Sequence, residues 1–216
     1  MSTNFYPLFE SDQYYHVYNQ GNAGSKIFFT AANYKYFLKK YFQYLDNVLD
    51  TYAYCLIPNH FHFLIKVKAG NAIFNNLDQL KLSKEFIDSL KANNTDKQVS
   101  IIISEMFRRF FMSYSKSINE QENRKGSLFS KNVKRKLIED EDYLRRVVYY
   151  IHFNPQRHKL VNDFHNYRLS SYQEIISNQI SELKRDDTIS IFQDLGNFVF
   201  YHNQKNEVDK EYGLED

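Results

Sequence analysis

Thr51-Tyr-Ala-Tyr-Cys-Leu-Ile-Pro-Asn-His-Phe-His-Phe-Leu-Ile-Lys-Val67 reads as two strands and the turn between them. Thr51 to Ile57 is aromatic and apolar. His60 to Val67 resumes that character after Pro58-Asn59, a pair suited to a tight connection. The two strands are expected to pair antiparallel. Successive side chains of a strand point to opposite faces, so His60, His62 and Leu64 share one face and Phe61, Phe63 and Ile65 the other. The phenylalanines can then be buried while both imidazoles point the same way.

The pattern extends in both directions. Tyr14 to Asn19 reads as a first strand, followed by the loop Gln20 to Ser25 with its two glycines. Ala31 to Val48 reads as an amphipathic helix, since Phe37, Leu38, Tyr41, Phe42 and Leu45 recur at steps of three and four. Asn71 to Asp96 holds two short helical patterns and closes as a loop over Asn93 to Asp96. Ser100 to Ile118 reads as a long helix, Leu128 to Ile138 as a fourth strand and Asp140 to Phe153 as a third helix. Acids open that last helix and Pro155 is expected to stop it. The order implies an α+β fold, an antiparallel sheet with helices packed on one face, with helical decoration after Ser170.

Composition sets the limits. The 216 residues are 43% hydrophobic and include 18 Tyr and 19 Phe but no Trp, so many aromatics must fill the core and a tyrosine alone says little. The single cysteine, Cys55, can form no internal disulfide, which suits a reducing cytoplasm, and its strand makes it a buried small hydrophobe. The start has no signal-peptide pattern, and no apolar run reaches the roughly 18 residues of a membrane span. The net charge of +2 hides an uneven distribution. Arg124 to Lys136 contains six basic residues and no acid, whereas Glu207 to Asp216 contains five acids and one lysine.

Two imidazoles on one strand face are close enough to ligate one divalent ion, and mixed nitrogen and oxygen sites can hold Mg²⁺ or Mn²⁺. His-x-His also arises by chance in half-exposed strands, so a third ligand and a reactive group are needed. Tyr143-Leu-Arg-Arg-Val-Val-Tyr-Tyr-Ile-His-Phe-Asn-Pro155 supplies both. Leu144, Val147, Val148 and Ile151 form an apolar stripe. Tyr150 and Asn154 lie one turn apart at its border, and an asparagine carbonyl oxygen is a plausible hard ligand. Periodicity by itself leaves Tyr149 and Tyr150 both open.

Four separated motifs resemble the HUH single-tyrosine transposases, most closely the branch of REP-associated tyrosine transposases. They are Tyr15-His-Val-Tyr-Asn19, Ile57-Pro-Asn-His-Phe-His-Phe-Leu64, Gly126-Ser-Leu-Phe129 and Tyr150-Ile-His-Phe-Asn-Pro-Gln-Arg-His-Lys-Leu-Val161. Ser170-Ser-Tyr172 stands where that branch usually carries Ser-Ser-Tyr. The resemblance implies a ferredoxin-like or RRM-like sheet over 1–172, with a helical insertion near 71–96 longer than the minimal fold, and a C-terminal extension over 173–216. It implies that His60 and His62 bind Mg²⁺ or Mn²⁺, that Asn154 is the third ligand, and that Tyr150 rather than Tyr149 is the nucleophile. The chain departs at Gln156, commonly Val, and at His158-Lys159, commonly Ala-Gly. Those positions bear on DNA contact or the helix exit and not on the chemistry.

The activity so implied is nicking and rejoining of single-stranded DNA through a 5′-phosphotyrosine link, on hairpins of repetitive palindromic elements. The expected phosphate contacts are Arg124, Lys125, Lys131, Lys134, Arg135, Lys136 and Arg157, with Lys159 beside them. Because strand residues alternate, only part of that cluster can face DNA. The alternative is a catalytically silent protein on the same fold that binds hairpin DNA or RNA. No membrane partner is expected, and the resemblance accommodates a monomer or a homodimer.

Overall fold

A computed structural model of the chain describes residues 6–90, 95–130, 132–177 and 180–204. Its centre is one antiparallel sheet of β1 (Tyr14–Gln20), β2 (Leu49–Ile57), β3 (His60–Val67) and β4 (Lys134–Ile138), in spatial order β2-β3-β1-β4. Helix α1 (Ala31–Leu45) joins β1 to β2. After the short helices α2 (Gly70–Asn75) and α3 (Lys84–Leu90), the long helix α4 (Asp96–Gln121) leads to β4. This is the split βαββαβ arrangement of ferredoxin-like folds, with the histidine strand β3 inside the sheet.

Alternation along β3 does what the sequence requires. Phe61 and Phe63 face α1 and α4, where Phe37, Tyr41, Phe110 and Tyr114 are buried with them. The Tyr41 and Phe63 rings lie parallel with centroids 4.0 Å apart, and the Tyr41 hydroxyl meets the Thr51 hydroxyl at 2.9 Å. The expectation of helices on one face holds for α1 and α4. It does not extend to α5 (Glu141–Arg157), which packs against β2 and β3 on the face that carries His60 and His62. That face also carries Ala53, Cys55 and Leu64, all fully buried, so it too needs a cover.

Several elements differ from the sequence reading: the helix expected over Ala31 to Val48 ends at Leu45, and the one expected over Ser100 to Ile118 spans Asp96–Gln121. The fourth strand begins only at Lys134; Leu128 and Phe129 fill the core from a loop, where Phe129 makes one bridge to Gly21. Pro155 lies inside α5 instead of ending it, because in the last turn its missing N–H removes a single bond. The helix closes beyond it, where Lys159 N donates to Gln156 O and Leu160 N to Pro155 O. Finally, α5 is buried nearly all round and not only along the expected stripe. Its outer side meets α6 (Tyr172–Ile176) and α8 (Leu195–Asn203), through His152 with Tyr172 and Tyr149 with Tyr201, while α7 (Arg185–Ser190) packs against β2. Cys55 is buried and burial pushes its thiol pKa up, as a small core hydrophobe requires.

The segment after α5 also covers the free edge of β2. Leu56 N donates to Leu169 O and Ser171 N to Tyr54 O, and the Thr188 hydroxyl donates to Tyr52 O. Gly21 ties the other end of the sheet to the turn before His60, its N–H donating to Asn59 O at 2.8 Å. A Cβ at Gly21 would stand 1.8 Å from the Ser25 carbonyl oxygen, so only glycine fits. Lys131, the acidic stretch Glu207 to Asp216 and Asn93 and Asn94 of the loop expected over Asn93 to Asp96 lie outside the described residues; Asp96 opens α4, capped by Thr95. Among the described residues no helix is long and apolar enough to cross a membrane.

Candidate active site

Strand register brings the site residues into rows. Tyr18 of β1 stands opposite His62 of β3 on one side and Lys134 of β4 on the other, and Gln20 stands opposite His60. Directly opposed residues share a face, so His60, His62, Tyr18, His16, Lys134 and Lys136 all project from the same side of the sheet. The rings of His16, Tyr18 and His62 are nearly parallel, within 23° of one another. His62 Nδ1 lies 2.9 Å from His16 Nε2. His60 places Nδ1 3.0 Å from Asn59 Oδ1 and Nε2 3.1 Å from Asn154 Oδ1.

Helix α5 supplies the opposing wall. Asp140 caps it, accepting from Tyr143 N at 2.7 Å, and Glu141 and Asp142 favour its positive end. From that start, the helix presents Tyr150 and Asn154 to the histidines. The Tyr150 ring stands edge-on to His62, centroids 5.4 Å apart, and to His16 at 5.6 Å. Arg157 Nη1 donates to the Tyr150 hydroxyl at 3.1 Å. Tyr149 points elsewhere, stacked on Phe153 with Phe164 and Tyr201 around it. The structure therefore brings His60, His62, Tyr150 and Asn154 together and leaves Tyr149 out.

The group is closed over. Tyr150, His62 and Asn154 are fully buried. The helix end forms the cover: Arg157 lies on the Tyr150 hydroxyl, and the exposed His158 sets its ring 4.6 Å from that of His60. A phosphate approaching Tyr150 must move or recruit these two side chains.

The donor set fits a divalent cation. A neutral imidazole has one N–H, yet both nitrogens of His60 face amide carbonyl oxygens. With the proton toward Asn59, the Nε2 lone pair and Asn154 Oδ1 face each other 3.1 Å apart. That separation suits two ligands on one small cation with bonds of about 2.0–2.2 Å. The buried Asn154 Nδ2 makes no hydrogen bond among the described residues, so no other contact dictates how the amide is turned. No group of three His, Cys, Asp or Glu side chains is arranged for an ion among the described residues. Binding would thus use the two histidines, the Asn154 amide and oxygens of the substrate or water.

The basic cluster divides by face. Lys134 and Lys136 share the histidine face, and the Lys134 ammonium sits 5.4 Å over the Tyr18 ring. Arg135 is on the other side of the sheet, its Nε on the Pro7 carbonyl oxygen and its guanidinium over Phe9. Arg124 packs over Phe29, and Lys125 is exposed in the loop after α4. Arg157 belongs to the tyrosine. Sequence reasoning assigned no role to His16 or Asn59. The signal for His16 was present, since in Tyr15-His-Val-Tyr-Asn19 it shares a face with Tyr18, but it needed the pairing of β1 with β3.

No protein-family model matches the sequence, and no curated protein matches it. Among solved structures, the fold is similar to that of a REP-associated tyrosine transposase bound to a REP hairpin, with a TM-score of 0.56 and 13% identity over 82% of this chain and 87% of that one. A bacterial tRNA(His) guanylyltransferase-like protein in complex with GTP overlaps at a TM-score of 0.41 and 11% identity, over 72% and 67%, too loosely to carry an argument. The chain shares its α+β fold with the transposase structure.

Proposed function

We propose that this protein nicks and rejoins single-stranded DNA beside a hairpin, with Tyr150 as nucleophile and a divalent cation, Mg²⁺ or Mn²⁺, held by His60, His62 and Asn154. The observation that carries the reading is the convergence of a tyrosine hydroxyl, its guanidinium donor and the two histidines on one side of the sheet. The fold shared with a hairpin-bound transposase and the motifs of the sequence point the same way.

In this mechanism the Tyr150 oxygen attacks a backbone phosphorus. The new bond joins the tyrosine oxygen to that phosphorus as the phenolic proton leaves to solvent, and the bond to the 3′ oxygen breaks, that oxygen taking up a proton to become a 3′-hydroxyl. The phosphotyrosine keeps the energy of the broken bond, so a second 3′-hydroxyl can reverse the step on another strand. Arg157 donates to the phenolic oxygen and sets a positive charge beside the attacking atom. The cation would stabilise charge developing on the phosphoryl oxygens. Lys134 and Lys136, partly buried on the same face at its β1–β4 side, offer phosphate contacts, while α5 packs on the β2–β3 side.

The full burial of Tyr150 favours a second reading, a hairpin-binding protein in which the closed site does no chemistry. End-labelled single-stranded hairpin DNA with Mn²⁺ separates the two. A covalent protein–DNA adduct is expected with wild type and Tyr149→Phe. It should fall on the order of 10⁴-fold or more with Tyr150→Phe, and strongly with His62→Ala. Intact DNA binding with no adduct from any of these proteins establishes the silent reading.

A further inference from the structure

His16 and His62 share one proton. Their facing nitrogens are 2.9 Å apart and both rings are buried. If His16 donates through Nε2, His62 accepts through Nδ1, and a neutral His62 then carries its own proton on Nε2, leaving no lone pair for a cation. If His62 donates through Nδ1, its lone pair is on Nε2, and His16 keeps its own proton on Nδ1. The two forms share a skeleton and differ only in where protons sit.

Asn59 shows how the neighbouring histidine is set. With its amide oxygen accepting from His60 Nδ1, the Nε2 lone pair turns to Asn154 Oδ1. A cation that uses both histidines requires the same tautomer of His62. The fold holds His16 where it can impose it. His16 is a diagonal neighbour of His62 across β1 and β3, and Tyr18 stacks on its ring with centroids 4.9 Å apart.

We propose that His16 is a positioning residue that holds His62 in the Nδ1–H tautomer, as Asn59 holds His60, so that both Nε2 lone pairs serve one divalent cation. This rests on the metal-assisted reading above. Groups that orient a ligating histidine through its other nitrogen typically change metal affinity by about 10–100-fold when removed.

The test titrates the full chain with Mn²⁺ alone, following free Mn²⁺ by electron paramagnetic resonance, for wild type, His16→Gln, His16→Phe and His62→Ala. His16→Phe should bind about 10–100-fold more weakly. His16→Gln, whose Oε1 can only accept and reaches the place of Nε2, should stay near wild type. The ring-nitrogen ¹⁵N spectrum of the metal-free wild type reads the tautomer directly and needs no variant to fold. A proton on His62 Nδ1 supports the proposal and a proton on Nε2 overturns it, as does undiminished Mn²⁺ binding by His16→Phe. If wild type takes up no Mn²⁺, the metal reading fails, and the spectrum still decides the role of His16.

Discussion

Helix α5 stands between two buried histidine groups that solve their hydrogen bonding differently. On its outer side, His202 Nδ1 faces the Phe198 carbonyl oxygen at 2.8 Å, so Nδ1 is the donor and Nε2 the acceptor. His152 Nδ1, 2.9 Å away, then donates to that Nε2, and Ser171 Oγ donates to His152 Nε2 at 2.8 Å. Each ring spends one proton and one lone pair, and the chain ends on backbone. Burial holds both rings neutral, pushing the pKa of His152 well below its usual value and that of His202 down to about 3. On the inner side the rings meet side chains: His60 faces the amide oxygens of Asn59 and Asn154, and His62 faces the imidazole of His16. A closed chain is sufficient for structure. The inner group, beside a tyrosine hydroxyl, is where the proposed cation would bind.

The strongest way to break this contrast is to add the cation. Mn²⁺ at 100 times its dissociation constant should raise the unfolding free energy of wild type by about 2.7 kcal/mol, since only the folded chain assembles the ligands. His202→Gln should keep that gain and His62→Ala should lose it, measured by denaturant unfolding with and without Mn²⁺. An equal gain in His62→Ala would put the cation elsewhere.

The two groups were unequally legible in the sequence. The inner one announced itself because strand alternation is strict: β3 spans His60 to Val67 as read, and the two histidines could fall only on one face. The choice between Tyr149 and Tyr150 was not legible from periodicity. Both are buried, and what separates them is the C-terminal layer over Tyr149. Arg157 was counted with the charges that meet DNA because local sequence does not show that a guanidinium seven residues on returns to the same tyrosine. The outer group escaped notice altogether. His152, Ser171 and His202 come from distant segments, and only the docking of α8 brings them into line. Ser170-Ser-Tyr172, known from the sequence only as a matching motif, thereby gains a physical role in fastening β2 and α5 together.

The outer chain makes its own prediction, through pH. A histidine neutral in the folded chain and ordinary in the unfolded one binds its proton first in the unfolded state. Its contribution to stability is complete above the unfolded pKa of about 6.5 and is lost as pH falls from there toward the depressed folded value, about 3 for His202. Between pH 7 and pH 5 one such histidine removes about 2 kcal/mol. In His202→Gln the side-chain oxygen still accepts from His152, but one titration is gone. The loss of stability over that interval should therefore shrink by about 2 kcal/mol relative to wild type. Unchanged pH dependence would mean that His202 is not held neutral.

The smallest effect expected lies at the end of α5, the helix both groups depend on. Lys159 has φ of 58°, in the left-handed region, and its N–H donates to Gln156 O while Leu160 N returns to Pro155 O. This is the helix ending that glycine serves without strain, and a side chain there costs about 1–2 kcal/mol. Glycine gives back part of that through the greater freedom of the unfolded chain. Lys159→Gly should therefore stabilise the fold by about 0.5–1 kcal/mol in denaturant unfolding. It would leave His158 and Arg157 on a better-closed helix end over His60 and Tyr150. The same variant asks what the lysine is for. If its charge meets a phosphate, Lys159→Gly gains stability and loses hairpin affinity together, and the strained residue is held there for DNA. If affinity is unchanged, the strain at this helix end serves nothing that the site requires.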